Sequence, residues 1–206
     1  MKREFATTLA GAAIAFTLLS PQFAQARTVD DMKASPGDIP SAAEPQERAQ
    51  LMVPAQAALN KTLDARDARP GQQFRVTISK TVRLKDGPEL PRGTQLIGTV
   101  VADPANANAT SRMELRFTQA ELKGGKVVAI KATIVGVYAT ASETEELNQW
   151  NSKILEVDQT DPESGVQLHS KITSENSGTL VATRKGAVKL PAGSEIVLAI
   201  AVDKSS

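Results

Sequence analysis

Residues Arg112 to Tyr138 read RMELRFTQAELKGGKVVAIKATIVGVY, and this stretch decides the fold. Met113, Leu115 and Phe117 alternate with Arg112, Glu114, Arg116 and Thr118, the period of a strand with one face on a core and one in water. From Val127 onward, Val127, Val128, Ile130, Thr133, Ile134, Val135 and Val137 place apolar or β-branched groups on both faces. A long central strand covered on two sides is expected there. Between them lies Lys123-Gly124-Gly125-Lys126, whose two glycines reach positive φ without a Cβ clash, so the stretch predicts a tight hairpin from Arg112 to Tyr138.

Working outward, the same period recurs where Phe74, Val76 and Ile78 alternate with Arg75, Thr77 and Ser79. A repeat frames this region. Leu90-Pro91-Arg92-Gly93-Thr94 leads into Gln95–Asp103, and Leu190-Pro191-Ala192-Gly193-Ser194 leads into Glu195–Asp203. Proline sets φ at the start of a turn, glycine supplies the unusual dihedral at its end, and the hydroxyl residue then opens a strand. The two copies predict equivalent corners of a barrel or sandwich rather than a pair of ligand loops. Further strands are expected near Val166 to Thr173, Thr179 to Thr183 and Ser194 to Val202, separated by turns at Asn176-Ser177-Gly178 and Arg184-Lys185-Gly186.

Other segments read differently. Ser142 to Leu155 predicts a helix, with Ser142 and Glu145 as a capping box and Leu147, Trp150 and Ile154 on one face. Asp158 to Gly165 reads as a polar loop. The fold class is therefore all-β, an antiparallel barrel or sandwich of about seven to eight strands with one short helix. Residues 58–206 form this domain, long enough to bury a core without staples. Residues 27–57 carry Pro36, Pro40, Pro45 and Pro54 among Ala, Asp, Gln and Ser and read as a disordered leader, with a short helix around Glu47 to Val53 that Pro54 would end.

Residues 1–26 have the three parts of a cleavable signal peptide: Lys2 and Arg3, an apolar stretch from Phe5 to Leu19, and the small-residue exit Ala24-Gln25-Ala26. The expected location is periplasmic or secreted, with no membrane span after signal removal. Loss of Lys2, Arg3 and Glu4 leaves basic and acidic residues in balance, and only Phe74, Phe117, Tyr138 and Trp150 remain as aromatics. Neither an electrostatic grip on nucleic acid nor a base-stacking groove is expected. The chain has no cysteine, which excludes disulfides, thiolate metal sites, a thiol nucleophile and lipid attachment through an N-terminal cysteine.

No residue is assigned as catalytic, cofactor-binding or metal-binding. His169 is the single histidine and lacks a Gly-x-Ser-x-Gly nucleophile context, so it reads as a polar strand position. Glu143, Glu145 and Glu146 read as a solvated helix start, and Asp158, Asp161 and Glu163 as a solvated loop. From Asp158, the positions that a calcium loop needs hold Thr160 and Pro162. Asn60-Lys61-Thr62 and Asn108-Ala109-Thr110 match the glycosylation acceptor pattern, which occurs often by chance and carries no meaning in a bacterial host.

The run Leu90-Pro91-x-Gly93-Thr94-x-Leu96-Ile97-Gly98, the loop after it, Arg112 to Phe117 and the Lys-Gly-Gly-Lys turn resemble the C-terminal β-barrel of the conjugation and type IV secretion channel component, and also largely uncharacterised exported bacterial β-domain proteins. The resemblance is partial and implies a β-barrel in the cell envelope with a secretion-associated role. It does not extend to channel formation, because a cleavable signal stands where that family keeps an inner-membrane helix, and no long helical insertion is seen. The function expected is that of a non-enzymatic envelope scaffold or protein-interaction module, binding another envelope protein or itself. One alternative is a carrier of a small apolar ligand with the Trp150 helix as its lid. Another is a carboxylate-dependent hydrolase using Glu143, Glu145, Asp158 or Asp161.

Overall fold

A computed structural model describes residues 44–101, 111–139, 151–161, 165–184 and 186–204. Its elements in chain order are α1 (Glu44–Leu51), β1 (Val53–Leu59), β2 (Leu63–Asp64), β3 (Gln73–Ile78), β4 (Val82–Arg83), β5 (Glu89–Leu90), β6 (Gln95–Val100), β7 (Arg112–Glu121), β8 (Val127–Tyr138), β9 (Glu156–Asp161), β10 (Val166–Lys171), β11 (Gly178–Ala182), β12 (Lys189–Leu190) and β13 (Glu195–Val202). Nine strands form one antiparallel sheet in the order β6-β3-β1-β13-β8-β7-β11-β10-β9, and β6 also pairs with β7. That pairing closes β6, β3, β1, β13, β8 and β7 into a barrel, leaving β11, β10 and β9 as a three-stranded wing.

The predicted hairpin is present with the expected bounds. Gly124 and Gly125 take φ of 93° and 82°, and Leu122 N–H donates to Lys126 O at 2.8 Å across the turn. Alternation sends Leu115 and Phe117 into the core, where they join Leu96, Val100, Ile130, Ile134, Ile196, Leu198 and Ile200, none more than 2 % exposed. The rings of Phe74 and Phe117 meet edge to face at 5.1 Å. A second, smaller cluster lies outside the barrel, where Ala49 and Met52, from α1 and the residue that follows it, cover Ala199 and Ala201 with Ile172. Cover on both faces explains why β13 is buried along nearly its whole length. For β8 the expectation of two covered faces holds in its second half, whereas Val127 at its start is 51 % exposed.

The two Leu-Pro-x-Gly copies are equivalent corners, and the equivalence runs further than the copies themselves. Gly93 and Gly193 have φ of 90° and 86°. Gly93 N–H donates to Ile78 O, and Ile78 N–H returns a bond to Thr94 O; Gly193 and Ser194 repeat both bonds with Leu59. Thr81 Oγ1 accepts from Arg92 N–H at 3.3 Å, and Thr62 Oγ1 accepts from Ala192 N–H at 3.2 Å. Leu59-Asn60-Lys61-Thr62-Leu63-Asp64 thus matches Ile78-Ser79-Lys80-Thr81-Val82-Arg83, an internal repeat that the sequence reading missed. Short ribbons follow suit, β2 pairing with β12 and β4 with β5. Register completes the symmetry: Ala57 pairs with Ile196 as Val76 does with Leu96, and bulges fall between Val197 and Leu198 and between Ile97 and Gly98. Antiparallel pairing of β1 with β3 through Ala58 and Thr77 places a pseudo-two-fold axis at that pair.

Three expectations change. β1 begins at Val53, inside the stretch read as leader, and Pro54 lies within it opposite Ala199. The carbonyl of Gln56 faces β3, where it accepts from Ser79 N–H, so strand alternation points the nitrogen of Pro54 to that same side. Pairing with β3 reaches only as far as Ala57, so no ladder bond is lost to the proline. The helix before it runs Glu44–Leu51 rather than Glu47 to Val53. Second, Asp158 to Gly165 is no simple loop, because β9 spans Glu156–Asp161 and pairs along its whole length with β10. An edge strand can be polar on both faces, which hides it from a hydropathy reading. Third, the helix expected over Ser142 to Leu155 falls mostly outside the described residues; Asn151 to Leu155 form a turn leading into β9.

Candidate functional site

The pseudo-symmetry breaks between β7 and β8. Their hairpin pairs from Glu121↔Val127 to Gln119↔Ala129 and stops. Continued in that register, Arg112 would lie opposite Gly136. Instead β11 takes that edge of β7 over Arg112 to Leu115, and β8 diverges. Ser177 bridges the fork: its hydroxyl accepts from Phe117 N–H at 2.9 Å, its carbonyl from Ile134 N–H at 2.7 Å, and its own N–H donates to Leu115 O. Further along β8, Ser170 Oγ donates to Ile134 O, and Gln159 Oε1 accepts from Val137 N–H at 3.1 Å.

A cleft of about 420 Å³ lies at the fork, lined by Arg116, Thr118, Lys131, Thr133 and Ser174 among others, with Arg48 and Met52 beside it. Arg116, Phe117 and Thr118 have no strand opposite them on this edge. Arg116 reaches Asn176 Oδ1 at 3.0 Å and Glu175 at 3.4 Å, and Lys131 reaches Asp203 at 3.3 Å. Among the described residues, no hydrogen bond or ion pair holds Arg48. A second cavity of about 420 Å³ shares Arg48, Met52, Lys131 and Asp203 and adds the apolar Leu51, Ala201 and Val202 together with the charged Glu47, Lys85, Asp86 and Lys204. Leu51 is 39 % exposed. The two spaces meet around Arg48, and the second sets an apolar wall among charged residues. Sequence reasoning missed both, because Arg48 lay in the presumed leader and a fork between strands leaves no local pattern.

The wing brings together residues that the sequence reading treated separately. His169 on β10 faces Asp158 on β9, with Nδ1 and Oδ1 2.5 Å apart, and Lys171 meets Glu156 at 2.8 Å one rung along. The hydrogen bond that Lys171 donates to the Glu156 carboxylate raises the pKa of Lys171. Both pairs are exposed, where such contacts contribute little stability. His169 is thus a polar strand position as expected, with a carboxylate partner that was not foreseen. Glu143, Glu145, Glu146, Trp150, Glu163 and Asn108-Ala109-Thr110 lie outside the described residues, as does the side chain of Asp161. Asn60 sits at a corner, its Oδ1 accepting from Thr77 Oγ1 at 2.7 Å. Among the described residues, no group of three or more His, Asp or Glu is placed to hold a metal ion, and no helix is long and apolar enough to cross a membrane.

No protein-family model matches the sequence, and no curated protein matches it. Among solved structures, the chain is similar to ComB10 of the Com type IV secretion system of Helicobacter pylori, at 11 % identity and a TM-score of 0.35, over 72 % of this chain and 83 % of that one. This is a weak and partial resemblance, of the kind expected from the Leu-Pro-x-Gly run and the hairpin.

Proposed function

We propose that the chain is an exported, non-enzymatic β-domain that serves as a protein-interaction module of the cell envelope, in the periplasm or secreted. The observation that carries this reading is the filled barrel. Phe117, Leu96, Leu198, Ile134 and Ile200 occupy the core, so a partner would be met on the outer surface, where the cleft at the fork, the wing and the exposed hairpin tip at Val127 are available. A carrier of a small ligand needs a lumen free of its own side chains. The Asp158–His169 pair lines a cavity of about 290 Å³ with both side chains well exposed, whereas proton chemistry by such a pair is helped by excluding water. The signal-like start and the balanced charge support export and a protein rather than a nucleic-acid partner.

Photo-crosslinking in the native envelope tests it. Benzoylphenylalanine placed in turn at Thr118, Val127 and Thr160 is expected to give a discrete adduct, with another envelope protein or with a second copy, from at least one position. No adduct from any of the three, together with a monomeric chain, would remove the interaction reading.

A further inference from the structure

We propose that the fork cleft and its apolar neighbour form one docking site for a short extended segment of a partner protein, in which a carboxylate stands next to an apolar side chain. The proposal rests on the interaction reading above and names its site. Three observations meet there. β7 lacks a facing strand over Arg116, Phe117 and Thr118, between the end of its β8 pairing and the start of its β11 pairing. Ser177 Oγ already holds the Phe117 N–H there, so an added extended chain would meet this edge at its remaining main-chain groups.

The second observation is electrostatic. Of the cations lining the two spaces, Arg116 is engaged by Asn176 and Glu175, Lys131 by Asp203, Lys85 by the Gln50 carbonyl and Lys204 by Asp86, which leaves Arg48 as the guanidinium without a described partner. A guanidinium takes a carboxylate through two parallel hydrogen bonds. Third, Leu51, Met52, Ala201 and Val202 line the lobe on the other side of Arg48. One unengaged guanidinium beside this apolar wall, with the neighbouring lysines already held, suits an acidic residue with an apolar neighbour. A phosphate group would call for several cations converging on one point.

The test uses the nitrogen-15-labelled full chain and three blocked pentapeptides that differ only at the centre: Ala-Leu-Asp-Val-Ala, its Asn counterpart and its Lys counterpart. Amide shifts at residues 48–52, 116–118 and 130–133 are expected with the Asp peptide, and binding of the Asn peptide about tenfold weaker, the scale of one charge-assisted hydrogen bond. Arg48→Gln should abolish that preference while resonances of the barrel interior stay in place, and Arg48→Lys should restore it in part. Equal binding of Asp and Asn peptides, unchanged preference in Arg48→Gln, shifts confined to β9, or no shifts at millimolar peptide would each overturn the site. The crosslinking experiment separates the two ideas: adducts at Val127 or Thr160 but none at Thr118 sink the cleft alone, whereas no adduct anywhere sinks the module as well.

Discussion

The half of the barrel made by β3, its corner, β6 and β7 can be laid on the half made by β1, its corner, β13 and β8. Backbone bonds coincide at every corner position, yet the side chains do not. Where β3 and β6 face each other, Phe74 stands opposite Gly98; at the matching place on β1 and β13, Ala55 stands opposite Leu198. Bulk has moved from one strand to its neighbour while the space between them is still filled. Charge has moved as well, since Arg83 pairs across to Glu89 in one ribbon and Asp64 stands across from Lys189 in the other. The contrast teaches that corner geometry and register define this fold, and that residue size and sign can be exchanged across a strand pair so long as their sum is kept.

The largest expected effect breaks the filled half. Phe117→Ala removes a 2 %-exposed ring that meets Phe74, and should cost about 3–5 kcal/mol in urea unfolding, whereas Ile134→Val at the matching position should cost roughly 0.5–1.5. A loss below about 1 kcal/mol for Phe117→Ala would show that its ring does not fill this half of the core. Next comes the exchange itself. A Cβ on Gly98 would lie 2.3 Å from Phe74 Cζ, so Gly98→Ala should destabilise by about 1–3 kcal/mol, and much less in a Phe74→Leu background. Additive effects in that double-mutant cycle would refute the trade of bulk.

The corners should respond alike. With φ near +90° at both, Gly93→Ala and Gly193→Ala should each cost about 1–2 kcal/mol and agree within roughly 0.5. A clear inequality would end the claim of equivalence. The smallest effect sharpens the exchange of sign. The Arg66 side chain hydrogen-bonds Asp64 and holds its pKa at about 2, below the ordinary 3.8. A carboxylate depressed in the folded state stabilises above its unfolded pKa, and that stability is lost as pH falls from about 4 towards 2. Asp64→Asn should therefore lower stability by less than ~1 kcal/mol at pH 7, and by a small part of that at pH 2, where about half of the folded carboxylate is protonated. A deficit at pH 2 as large as that at pH 7 would show that the carboxylate's charge is not the cause.

Much of the barrel is legible in the chain because alternation and turn chemistry are local. Arg112 to Tyr138 carries both signals, and Leu190-Pro191-Ala192-Gly193 announces its strand. What was hidden has physical reasons. The repeat of Lys61-Thr62 in Lys80-Thr81 is short and flanked by residues of opposite charge, Asp64 against Arg83, so it does not stand out in sequence. Pro54 ends a strand only where its nitrogen must donate, and that depends on how far β3 reaches. β9 is held by backbone pairing with β10, so its side chains need not be apolar. The cleft arises where two strands part company, an event of three dimensions that neither Arg116 nor Lys131 signals alone.

One feature of the barrel bears on how the chain could be handled in a cell. β1, first of the barrel strands to be made, is zipped to β13, the last, with Val53 opposite Ile200. No closed barrel can exist until the ribosome has delivered nearly the final residue, and long-range closure of this sort is slow. On the export route proposed above, that delay would keep the polypeptide threadable until it had left the compartment where it was synthesised.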